Sequence, residues 1–236
     1  SAVAGLSLSL LSSNLAVYAA DLVTPNPTPS ISPTDLPLYN QPKTVDRPVP
    51  KKLNPALVNA KRDRPKPYLD RCHTQQNLTV SAASCLYGDA TSKTTVVLFG
   101  DSHALSWFPA IEKLATAKKW RLYSLTMSSC WPAAVPAWNP KTMKVMKNCS
   151  IWRTSTLERI AKLHPSLLFV AGNRGFATVD GNGTVLTGDA RTNSWLVGMK
   201  DTLDKLKVAS QRVVLISDTP VSAFDPPLCL LAHPAS

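Results

Sequence analysis

Acidic residues and glycine are scarce in this chain of 236 residues, and its cysteines are odd in number. Asp and Glu total 15 against 26 Lys and Arg, charged residues make up only 17%, and 9 glycines stand against 20 prolines. With 44% of residues apolar, so little charge excludes a disordered chain, and the mixture excludes a polytopic membrane protein. None of the five cysteines forms a C-x-x-C pair with the histidines a zinc site needs. No metal and no cofactor is expected. What remains has the length for one α/β domain with a core of its own.

The shortage of acid is local. Residues 41–72 hold nine Lys or Arg and three Asp, a net +6 of the chain's +11. A segment of this kind meets phosphate, an anionic envelope polymer or solvent. Nucleic acid is excluded as a partner, because the segment has one aromatic residue, Tyr68, no recognition signature, and prolines too frequent for a groove-reading helix.

Residues 1–20 carry no charge and include thirteen apolar residues, about the length that crosses a bilayer. The favoured reading is the end of a membrane segment. The competing one is a signal-peptide remnant with a small-residue cleavage site at Val17-Tyr18-Ala19 or Tyr18-Ala19-Ala20, against which stand the Ser start and the missing basic n-region. Residues 21–71 follow as a basic, proline-rich spacer, with eleven prolines between Asp21 and Pro67. Such composition is extended and semi-rigid, suited to holding the next domain, residues 72–236, away from a membrane or wall.

Cys72 and Cys85 are thirteen apart, and Cys130 and Cys149 nineteen apart. Read as two local disulfides, Cys72–Cys85 and Cys130–Cys149, they place the domain in an oxidising, extracytoplasmic space, each bridge contributing about 3 kcal/mol. Read as reduced buried thiols they say nothing of compartment. Cys229 has no evident partner.

From residue 94 buried strands alternate with amphipathic helices: strand 94–99, helix 103–119, strand 121–126, helix 151–163, strand 166–171, helix 195–207 and strand 212–217. Strands apolar on both faces and separated by helices form a parallel sheet covered on both sides. The expected fold is therefore α/β, a three-layer α/β/α sandwich. Ligands in such sheets bind at the carboxyl ends of the strands.

After the first strand comes Gly100-Asp101-Ser102-His103-Ala104. Ser102 then stands at the head of a helix, where free N–H groups favour a developing oxyanion; alternatively Asp101 and Ser102 are merely caps. The second strand runs into Met127-Ser128-Ser129-Cys130, and the third into Ala171-Gly172-Asn173-Arg174. A serine nucleophile, a turn amide and an Asn side chain at one sheet edge make an oxyanion-hole site.

Gly100-Asp101-Ser102 and Gly172-Asn173 resemble blocks of the SGNH (GDSL-type) esterases and acyltransferases. Arg64-Pro65-Lys66-Pro67-Tyr68 to Cys72-His73, Leu98 to Ala104, Cys130-Trp131-Pro132, Cys149-Ser150-Ile151-Trp152 and Asp225-Pro226-Pro227-x-Cys229 resemble, more closely, the periplasmic SGNH domains fused behind acyltransferase-3-type membrane domains in bacteria, the actinobacterial kind above all. The likeness covers roughly residues 60–236 and implies the flavodoxin-like SGNH fold. It also implies Ser102 as nucleophile, with Asp101 supporting the turn. The oxyanion donors it implies are the N–H of Ser102, the N–H of Ser129 and Asn173.

Two departures accompany it. Ser129 stands where the family usually has Gly. The family's Asp-x-x-His, which supplies the general base, is matched in spacing only by Asp70-Arg71-Cys72-His73, upstream of the whole sheet. That match is read as coincidence, His103 as scaffold, and the domain as stopping short of its base, which would also leave Cys229 unpaired. The implied activity is transfer of an acyl group, read as acetyl, through an acyl-serine to a hydroxyl of an envelope glycan. The donor would be delivered by a membrane acyltransferase domain ahead of Ser1. A secreted carbohydrate esterase and a non-catalytic envelope-binding domain are the alternatives.

Overall fold

The computed structural model describes residues 50, 52–173, 177–219 and 225–232. The stretch read as a membrane segment and the spacer up to residue 49 lie outside them. Among the described residues no helix is long and apolar enough to cross a membrane.

In chain order the elements are α1 (Leu57–Ala60), α2 (Lys66–Leu69), β1 (His73–Thr74), β2 (Leu86–Gly88), β3 (Thr95–Gly100), α3 (Ser102–Ser106), α4 (Phe108–Ala117), β4 (Arg121–Met127), β5 (Trp138–Asn139), β6 (Lys144–Val145), α5 (Lys147–Leu163), β7 (Leu167–Ala171), α6 (Gly188–Ala209), β8 (Val213–Leu215) and α7 (Pro226–Ala232). The central sheet runs β1-β4-β3-β7-β8, with every pair along that path parallel. The short β2 joins the same edge of the sheet by pairing antiparallel with β4.

All six residues of β3 are buried, because the central strand is covered on both faces. Side chains alternate across a strand, and the core divides accordingly. Val97 and Phe99 pack with Leu125, Trp152, Ile160 and Leu206 on the side of α5 and α6. Val96 and Leu98 pack with Leu105, Phe108, Ile111 and Leu122 on the side of α3 and α4. The result is the three-layer α/β/α sandwich expected from the sequence.

Three details differ from the sequence reading. The helix expected over 103–119 is two helices, broken at Trp107, because Pro109 has no N–H for the carbonyl of Leu105 and disfavours a helical residue before it. α5 and α6 begin at Lys147 and Gly188 rather than at 151 and 195; apolar periodicity marks only the length of a helix that is buried. β8 shortens to three residues at the sheet's edge.

The end of the expected spacer is folded onto the body. Pro67 is buried in α2 and its carbonyl accepts the Cys72 N–H at 2.8 Å. Tyr68 meets the His73 ring edge-on with centroids 4.8 Å apart. Both expected disulfides are present, Cys72–Cys85 joining the residues that precede β1 and β2, and Cys130–Cys149 joining the loop after β4 to α5. Cys229 is a free thiol.

Candidate active site

The carboxyl ends of β3, β4, β7 and β8 bring the expected site residues to one edge of the sheet. Gly100 closes β3 at φ 150°, and a Cβ there would run into the Ala171 carbonyl oxygen and lie 2.8 Å from Ala104 Cβ. Only glycine lets β3 approach β7 this closely before the chain turns into α3.

Asp101 caps α3. Its carboxylate is fully buried, and Oδ1 accepts the N–H groups of His103 at 2.8 Å and Ala104 at 3.4 Å. Oδ2 accepts the N–H of Asn173 at 2.9 Å. One side chain therefore fixes the head of α3 and the end of β7 together. Burial pushes its carboxyl above the usual range, against the opposing pull of these N–H groups and of His103.

Ser102 is the first residue of α3 and half-buried. Asp101 takes the next two N–H groups of the turn, which leaves the Ser102 N–H uncommitted among the described residues. Its Oγ makes no hydrogen bond among them either, while its carbonyl accepts from Ser106 Oγ at 3.3 Å. The cap reading of this dipeptide belongs to Asp101, and it leaves the Ser102 hydroxyl open to chemistry.

After β4, the Ser128 N–H donates to the Thr74 carbonyl at 2.9 Å, and Ser129 turns the chain at φ 55°. This left-handed conformation is the one that favours Gly. The turn is anchored from below. Beyond the Cys130–Cys149 bridge, the buried Arg153 donates from Nε to the Trp131 carbonyl at 3.1 Å and from its terminal nitrogen to Cys149 Sγ at 3.1 Å. Burial lowers the Arg153 pKa to about 10, so it keeps its charge at neutral pH.

Two residues enter the site that sequence reasoning left out of it. His103, read as scaffold, turns its ring to Asp218 and Asn173: Nδ1 lies 2.5 Å from Asp218 Oδ1, and Nε2 lies 2.9 Å from Asn173 Nδ2. Asp218 follows β8. Reading the residues after the fourth strand, as after the first three, would have found it. Beside Asn173 a cavity of about 180 Å³ is lined largely by apolar residues, among them Pro132, Met199, Leu215 and Ile216.

His73, the histidine of the upstream Asp-x-x-His match, is buried in β1 with Nδ1 3.0 Å from Thr126 Oγ1. Burial lowers its pKa to about 4, so it is neutral. Among the described residues no cluster of His, Cys, Asp and Glu of metal-binding size is present.

A family model described as "SGNH domain (fused to AT3 domains)" matches residues 71–236. No curated protein matches the sequence. Among solved structures, the periplasmic domain of a lipopolysaccharide acetyltransferase from Salmonella ser. Paratyphi A is similar at 15% identity with a TM-score of 0.41. The similarity covers 60% of this chain and 52% of that one, so the chain spans about half the length of that structure.

Proposed function

Since the chain belongs to the SGNH domains found fused to AT3 domains, we propose that it carries an acyl group, acetyl in the simplest case, on Ser102 and passes it to a hydroxyl of a cell-envelope glycan outside the membrane. The membrane AT3 domain of such a fusion supplies the acyl donor. The observation that carries this reading is the joint anchoring of Ser102 and Asn173: the buried Asp101 carboxylate holds the first turn of α3 and the Asn173 backbone at once.

In the proposed reaction Ser102 Oγ attacks the donor's acyl carbonyl, its proton leaves to a base, and a tetrahedral oxyanion forms. The N–H of Ser102, the N–H of Ser129 and the Nδ2 of Asn173 are the proposed donors to that oxyanion. Collapse expels the donor's leaving group and leaves an ester on Ser102. A glycan hydroxyl then attacks the ester, giving the acylated glycan and regenerating the serine. Both ring nitrogens of His103 face other partners, and Ser102 Oγ is hydrogen-bonded to neither. In this arrangement His103 is not the base.

The apolar cavity beside Asn173 suits the hydrocarbon part of an acyl group. The two disulfides support an oxidising, extracytoplasmic location. A fluorophosphonate probe, which esterifies activated serines, tests the assignment in the complete fusion protein: the parent is labelled and Ser102→Ala is not. Equal labelling of the two would remove Ser102 from the role of nucleophile. In the complete fusion protein, transfer to glycan separates the transferase from an esterase, which would release the acyl group to water alone.

A further inference from the structure

His103, Asn173 and Asp218 come from three strand ends, 70 and 115 residues apart along the chain as measured from His103. A carboxylate only accepts, so the 2.5 Å contact with Asp218 Oδ1 puts the ring proton on Nδ1. The neutral ring then presents a bare Nε2, which accepts from the Asn173 amide nitrogen at 2.9 Å. The opposite tautomer would set a lone pair against the carboxylate and an N–H against an NH2 group. A doubly protonated ring would keep the second of those clashes. With Nδ2 of Asn173 facing the ring, the tautomer protonated at Nδ1 is the one that satisfies both contacts.

The pairing is sheltered: the Asp218 side chain is 6% exposed and that of His103 30%. The other carboxylate near the ring, Asp101, is engaged with backbone N–H groups, including that of His103 itself. Asp101 thus sets where the Asn173 backbone stands, and His103 meets its side-chain amide.

We propose that His103 is a positioning residue: with its proton held at Nδ1 by Asp218, its Nε2 fixes the Asn173 amide with Nδ2 toward the first turn of α3, where Ser102 stands. This rests on the reading of Ser102 and Asn173 as parts of an acyl-transfer site. The role differs from that of a general base, since His103 takes no proton from substrate or serine and acts only through the amide it orients.

A double-mutant cycle in the complete fusion protein tests it, with p-nitrophenyl acetate as the acyl donor and water as acceptor. Asn173→Ala lowers kcat about a hundredfold, as loss of one oxyanion donor does. His103→Ala, which removes this contact with the donor, lowers kcat by about tenfold, within the limit set by losing the donor outright, and leaves KM unchanged. In the Asn173→Ala background the same change costs less than about twofold, since interacting residues are not additive. His103→Gln restores most of the rate, because its amide offers a donor to Asp218 and an acceptor to Asn173.

An equal loss from His103→Ala in both backgrounds would show a general structural role and overturn the proposal. Nitrogen-15 spectra of the His103 ring give a reading independent of activity: protonation at Nδ1 supports the proposal, and a ring protonated at Nε2 refutes it. If Ser102→Ala hydrolyses the ester as fast as the parent, the acyl-transfer reading fails, and the ring spectra still decide where the His103 proton lies.

Discussion

Acid should weaken this fold through one histidine. His73 is 2% exposed, and burial takes its pKa from 6.5 to about 4. In the unfolded chain it protonates near pH 6.5, while the folded protein keeps it neutral until about pH 4. Between those values the unfolded state binds the extra proton, so stability rises with pH and falls on acidification. At about 1.4 kcal/mol for each tenfold change in proton affinity, the interval corresponds to about 3 kcal/mol, fully present above pH 6.5 and lost by pH 4. Urea unfolding of the disulfide-intact chain, followed by tryptophan fluorescence at several pH values from 7.5 to 4.5, measures it. His73→Gln is the comparison, since an amide can still meet Thr126 and cannot titrate. Its absolute stability will differ from the parent's, but its pH slope should be shallower by about 1.4 kcal/mol per pH unit in the middle of the range. Asp101, whose raised pKa acts in the opposite sense at low pH, is common to both proteins and cancels in the difference. Identical slopes would mean that burial does not hold His73 neutral, and the reasoning would fail.

Two further outcomes follow from the site's scaffold. Gly100→Ala drives a Cβ into the Ala171 carbonyl at a φ of 150°, and should cost about 2 kcal/mol or more in urea unfolding while abolishing fluorophosphonate labelling of Ser102; normal labelling would show that β3 and β7 can separate without harm to the site. Cys130→Ser with Cys149→Ser removes the bridge behind the Ser129 turn and should cost about 3 kcal/mol, read from the urea midpoint against the parent under non-reducing conditions. An unchanged midpoint would mean that Arg153 and the surrounding packing hold the loop without the bridge.

What the sequence discloses of this molecule follows how local each cause is. The β3 run of Val96 to Phe99 states its own burial, and the turn from Gly100 into Asp101 and Ser102 is contiguous, so the sheet and the head of α3 are readable in order. Both cysteine pairings were also near neighbours. The break at Trp107 was carried by Pro109 and was missed because the apolar spacing of Leu105, Phe108 and Ile111 continues across it. The network around Asn173 was of another kind. Nothing in the residues beside His103 announces Asp218, 115 positions away; its signal is its place after the fourth strand, and the topology, which lays β7 beside β3 and β8 beside β7, makes them neighbours.

That long separation also bears on when the site comes into being. Ser102 takes its place as soon as β3 turns into α3, a local event, whereas Asn173 waits for β7 and Asp218 for β8, the outermost strand of the sheet's path. Contacts that close long loops form late and slowly. A newly made chain would therefore hold Ser102 in place before Asn173 and Asp218 join it, and the constellation of the three would be complete only once β8 had docked.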